Sequence, residues 1–101
     1  MEVIVQSLGF KAGSDLEAYV KEKLSKLDKK AHDTIRANVI LFLGPQSQQD
    51  NKHCEIRLEV PGHDPFVNKT GTTWELAVAE AVDALENQVR RMKDKMADRR
   101  P

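Results

Sequence analysis

Six cations crowd the last fifteen residues of this chain. They are Arg90, Arg91, Lys93, Lys95, Arg99 and Arg100, offset there only by Asp94 and Asp98. Groups of this kind hold phosphates, arginine through a planar fork of donors and lysine as a point charge. The stretch just before, Thr72 to Glu86, carries four acids, Glu75, Glu80, Asp83 and Glu86, and neither Lys nor Arg. The 101-residue chain as a whole is neutral, sixteen Lys+Arg against sixteen Asp+Glu. A neutral chain can still bind nucleic acid through one local basic patch.

A simpler use of the same cations exists. Lysines and arginines at the end of a helix complement the partial negative charge of its free carbonyls. Arg90 and Asp94 stand four apart, so part of the charge is offset locally. A second basic row favours the phosphate reading. Lys23, Lys26 and Lys30 recur at steps of three and four, on a helical face away from the apolar stripe. If the two helices lie side by side, these rows flank a groove suited to phosphates.

Other chemistry finds little support. His53 and Cys54 are neighbours on a strand pattern, so they point to opposite faces and cannot easily share a metal. There is no Cys-x-x-Cys and no His-x-x-x-His, and no metal ligand set is predicted. His32-Asp33 and His63-Asp64 are loop neighbours without a nucleophile. No nucleophile, base and orienting group come together, so no enzyme and no cofactor is predicted. Gly62 and Gly71 mark turns rather than a phosphate loop. Cys54 reads as a small buried apolar residue, and a lone cysteine points to a reducing compartment. Trp74 belongs to an apolar stripe and reads as packing rather than as a base-stacking platform.

The elements that must position the cations follow from periodicity. Val3-Ile-Val5 is a β-branched strand. Ser14-Asp-Leu-Glu17 reads as a capping box opening a helix. Leu16, Val20, Leu24, Leu27 and Ala31 then form one apolar stripe. Ile35, Ala37, Val39, Leu41 and Leu43 alternate, and apolar Ile40 and Phe42 between them mark a central strand. Gly44 to Asn51 is a polar loop. His53 to Val60 alternates, with Cys54, Ile56, Leu58 and Val60 toward the core and His53, Glu55, Arg57 and Glu59 outward. Pro61-Gly62 is a turn, and Pro65 to Lys69 a short edge strand. Thr72-Thr-Trp-Glu75 reads as a second capping box. It opens a helix of about 24 residues, about 36 Å long, with Trp74, Ala77, Val78, Ala81, Val82, Leu85, Val89, Met92 and Met96 on one face. The order is β-α-β-β-β-α in one domain, residues 1–101. It predicts an α+β fold: a four-stranded, mostly antiparallel sheet with both helices on one face. The start has no basic residues before its short apolar run, and no segment approaches the roughly 20 apolar residues of a membrane helix. A soluble cytoplasmic protein is expected.

Several stretches together resemble the family of hibernation-promoting factors and ribosome-associated inhibitors, also called sigma-54 modulation proteins. They are Val3-Ile-Val-Gln-Ser7, which resembles a Bacteroidetes-like branch; Leu16 to Leu27; Asn51 to Gly62; and Ala79 to Met96. The resemblance covers nearly the whole chain in its short form. It implies a fold similar to double-stranded RNA-binding domains. It also implies binding to the RNA of the small ribosomal subunit, in the channel for messenger and transfer RNA, with translation blocked in slow growth. Matching the family's helices, the RNA-contacting residues are Lys23, Lys26, Lys29 and Lys30 on the first helix and Gln88, Arg90, Arg91, Lys93 and Lys95 on the second. Ala84 and Asn87 stand where many members carry a basic residue. A monomer is expected. Two other readings stay open: a general module for double-stranded RNA, or a protein adaptor using the free sheet face around Glu55, Arg57 and Glu59.

Overall fold

The computed structural model describes residues 1–31 and 33–98, and of residues 95–98 the backbone alone. His32, Arg99 and Arg100, and the side chains of Lys95 and Met96, lie outside the described residues. Six elements follow in the expected order: β1 (Glu2–Leu8), α1 (Ser14–Asp28), β2 (Arg36–Leu43), β3 (Lys52–Glu59), β4 (Phe66–Gly71) and α2 (Trp74–Asp98).

The strands lie side by side in chain order, β1-β2-β3-β4. β1 pairs with β2 in parallel, while β2–β3 and β3–β4 are antiparallel. The sheet is therefore mixed. The reason is α1: a helical crossover returns the chain to the same end of the sheet, so the next strand runs parallel to the first. β2 and β3 are central, and β4 is an edge.

Alternation divides each strand between two environments. Ala37, Val39 and Leu41 of β2 and Cys54, Ile56 and Leu58 of β3 are buried under the helices. Val20, Leu24 and Leu27 of α1 meet them, as do Ala77, Val78, Ala81, Val82, Leu85 and Val89 of α2. Leu16, Val60 and Trp74 close the margin of this core. Trp74 stacks on Phe10 with ring centroids 4.2 Å apart, the packing role its stripe position implies. Cys54 is fully buried, and burial pushes its thiol up to about 12. Ile35 and Leu43, at the ends of the alternating run, are exposed because the helices do not reach that far.

Both helix starts differ from the predicted capping boxes. Gly13, not Ser14, is the N-cap of α1, and no side chain caps that end. With the helix starting one residue early, Ser14 sits inside the first turn and cannot turn back to its amides. At α2 the cap moves the other way. Thr73 Oγ1 accepts the amide of Leu76 at 3.1 Å, so Thr73 caps rather than Thr72, and the third helical position holds Leu76 in place of a glutamate. Gly71 makes the tight passage from β4 into α2. A β-carbon there would come 2.8 Å from the Ala77 amide nitrogen, a distance only glycine avoids. Among the described residues no helix is long and apolar enough to cross a membrane.

Candidate nucleic-acid interface

The two helices run in the same direction. Near their starts, the Tyr19 hydroxyl donates to the Glu75 carbonyl at 3.4 Å. Near the end of α1, Lys30 pairs with Glu86, and Lys93 donates to the Lys30 carbonyl. Both carboxyl ends, each with partial negative charge, therefore lie at one end of the domain. This is why cations from sequence segments 60 residues apart gather there (Lys30 and Lys93 are separated by 63 positions).

The α1 lysines do not form one continuous row. Lys23 lies over the Tyr19 ring, 5.4 Å from its centroid. Lys26 is exposed in the last turn, and Lys29 is the C-cap. Lys30 stands beyond the helix, in the turn that leads to buried Ala31, and its ammonium engages Glu86. The predicted helical spacing of Lys23, Lys26 and Lys30 thus breaks where the helix ends at Asp28.

The cations of α2 divide between two sides. Lys93 faces α1. Arg90 is exposed and donates to Asn87 Oδ1 at 2.8 Å, so its neighbour is Asn87 and not Asp94. Arg91 and Gln88 face the other way. With Ala84 and Met92 they line a cleft against the edge strand β4, where Val67 and Lys69 face the helix while Phe66 and Asn68 point to the open side of the sheet. The cleft holds about 500 Å³. Lys69 was missed in the sequence. Its parity with Val67 on β4 placed it toward the helices, but only the crossing of α2 over β4 shows that it opposes Arg91. Lys95 lies outside the described side chains.

The open face of the sheet has a different character. Its central rows read Ile4-Asn38-Arg57-Phe66 and Gln6-Ile40-Glu55-Asn68 across the strands. Arg36 reaches Glu59 at 3.0 Å and Glu2 at 3.6 Å. Asn38 donates to Glu59 at 3.0 Å, and this bond, aided by Arg36, holds the Glu59 carboxyl below its usual range. Asn68 donates to Glu55 at 3.0 Å. Arg57 lies over Phe66, 4.9 Å from the ring centroid, and Phe42 stacks on His53 at 4.5 Å. Most charges here are thus engaged within the face. Among the described residues no cluster of His, Cys, Asp and Glu has the makings of a metal site.

A mixed sheet covered on one face by two parallel helices, with cations at their shared end, defines a small two-layer α+β domain with a one-ended basic surface. The chain belongs to the sigma 54 modulation protein / S30EA ribosomal protein family, whose model matches residues 3–97. Among solved structures it is similar to the N-terminal domain of Protein Y from Thermus thermophilus, with a TM-score of 0.78 and 27% identity over 91% of this chain and 99% of that one. It also shares its fold with a ribosomal subunit interface protein from Coxiella burnetii, with a TM-score of 0.84 and 15% identity over 93% and 99%. No curated protein matches the chain at a significant level.

Proposed function

We propose that this protein is a cytoplasmic ribosome-associated translation inhibitor. It binds the RNA of the small ribosomal subunit through the basic ends of α1 and α2, in the channel for messenger and transfer RNA. It acts by occupying space, and this mode of action requires no bond to be made or broken. The observation that carries the reading is the parallel pair of helices, which brings Lys26, Lys29 and Lys93 to one end of a chain whose family is named for ribosomal association. One structural neighbour with this fold is itself a ribosomal subunit interface protein. Phosphate contacts supply position and most of the affinity in such a complex, and they release counterions. Binding should therefore weaken steeply with salt.

The test is co-sedimentation with isolated small subunits at low and high salt. Wild type should migrate with the subunit at low salt and leave it at high salt. Replacing Arg90, Arg91, Lys93 and Lys95 together by Ala should abolish migration while the circular dichroism spectrum is kept. Continued co-sedimentation of a folded quadruple variant would refute the assignment of the site.

A further inference from the structure

The cleft between β4 and α2 lies at a free edge of the sheet. Four consecutive residues of β4, Phe66 to Lys69, line its space of about 500 Å³. Neighbouring side chains on a strand point to opposite faces, so what these four share on one flank is main chain. The register shows which main-chain groups are free. The Leu58 amide donates to the Pro65 carbonyl at 2.9 Å, and bonded pairs alternate along an antiparallel ladder. The next bonded pairs are therefore Ile56 with Val67 and Cys54 with Lys69. Phe66, Asn68 and Thr70 turn their N–H and C=O groups away from β3, and among the described residues no other backbone meets them. These groups recur at every second residue, about 6.8 Å apart, and offer donors and acceptors alike. An extended polypeptide matches both properties. A polyphosphate only accepts and leaves the carbonyls unmet.

The helix side of the slot is charged. Lys69 and Arg91 line it from different elements, both are exposed, and neither forms an ion pair among the described residues. A charge turned inward on a sheet edge rejects uncharged strands, and a second copy of β4 there would set Lys69 and Arg91 against their counterparts. The same two cations favour a strand that carries acids on its helix side. On the open face Phe66 remains 40% exposed beside Arg57, so an apolar side chain opposite it would find cover. We propose that the cleft is the slot for a fifth strand: an extended segment of a partner protein, paired through its main chain with β4, with acidic side chains toward α2 and apolar ones toward Phe66. This goes beyond the ribosomal reading and does not depend on it.

The probe is the blocked hexapeptide Ac-Val-Glu-Val-Glu-Val-Glu-NH2, added to the full chain to saturation and followed by nuclear magnetic resonance. Amide exchange at Phe66, Asn68 and Thr70 should slow about tenfold, while Val67 and Lys69, already bonded to β3, should change little. The isomer Ac-Val-Val-Val-Glu-Glu-Glu-NH2 has the same charge without the alternation. It and a six-unit inorganic polyphosphate should bind about tenfold more weakly. N-methylation of the three valines, or of the three glutamates, should abolish binding in one case and spare it in the other, because only one edge of an added strand pairs. Lys69→Glu, an exposed substitution, should weaken binding several-fold and shift the preference toward Ac-Val-Lys-Val-Lys-Val-Lys-NH2. Unchanged exchange at Phe66, Asn68 and Thr70 would overturn the proposal. So would equal binding of the two isomers, equal effects of the two N-methylated sets, or the same protection from polyphosphate. Protection confined to Val3 and Val5, on the other free edge of the sheet, would overturn it as well.

Discussion

The helix layer and the open sheet face carry charge in different ways. On the sheet, Arg36 lies between Glu2 and Glu59, Glu55 holds Asn68, and Arg57 covers Phe66. On the helix side Lys26 and Lys29 are exposed and form no ion pair among the described residues, and Glu86 is the acid that engages Lys30. The first face spends its charges internally; the second leaves several available to a polyanion. Counting charged residues does not separate them. What separates them is whether each charge already has a partner.

The contrast can be broken most directly by charge reversal. Changing Lys26, Lys29 and Lys93 together to Glu should weaken small-subunit binding by about a hundredfold or more at moderate salt, because phosphate contacts are both lost and opposed. Changing Arg36 and Arg57 to Gln should alter it by about twofold at most. Equal losses in the two variants, measured by co-sedimentation, would erase the distinction between the faces. Packing offers a second contrast. Leu85 is fully buried, so Leu85→Ala should cost about 2–5 kcal/mol in denaturant unfolding. Half-buried Ile40 on the open face should cost clearly less when cut to Ala.

Smaller effects sharpen the comparison. Thr73→Ala removes the cap of α2 and should cost about 1 kcal/mol, read from the same unfolding curves. Glu86→Gln should release Lys30 and raise RNA affinity a few-fold, with a stability change under about 1 kcal/mol for so exposed a pair. The smallest effect concerns acid. Because the Glu59 carboxyl is held low in the folded protein, chiefly by Asn38, its contribution is present above the ordinary carboxylate pKa. It is lost as the pH falls through the lower folded value. Glu59→Gln should flatten the acid side of the stability profile slightly, and an unchanged slope would remove Glu59 from the network.

Much of the fold was legible in local periodicity. Val20, Leu24 and Leu27, or Cys54, Ile56 and Leu58, declare their face by spacing alone, and Pro65 marks β4 as an edge. What periodicity does not carry is direction and neighbourhood. The parallel pairing of β1 with β2 depends on the crossover. The caps shifted by one residue because a threonine pair and a glycine–serine pair each offer two candidates, and the geometry of the chain entering the helix selects between them. The site was legible as a set of residue types and illegible as a surface. Gln88 and Arg91 match the helical pattern as well as Arg90 and Lys93 do, yet the helix turns them toward β4. Lys69 had no partner to suggest its role until α2 crossed over its strand.

The parallel pairing of the first strand has a consequence for the order of folding. β2, β3 and β4 form a meander joined by short loops, so their contacts are local and quick to close. β1 must pair with a strand 34 positions further on, Glu2 with Arg36, after α1 has crossed between them. Of the four strands, β1 comes earliest in the chain and should be the last to find its place in the sheet. Pulse-labelling by hydrogen exchange during refolding should show amides of β3 protected before those of β1. Until β1 docks, β2 presents an unpaired edge, the stage at which a crowded, newly made chain is most open to pairing with another copy.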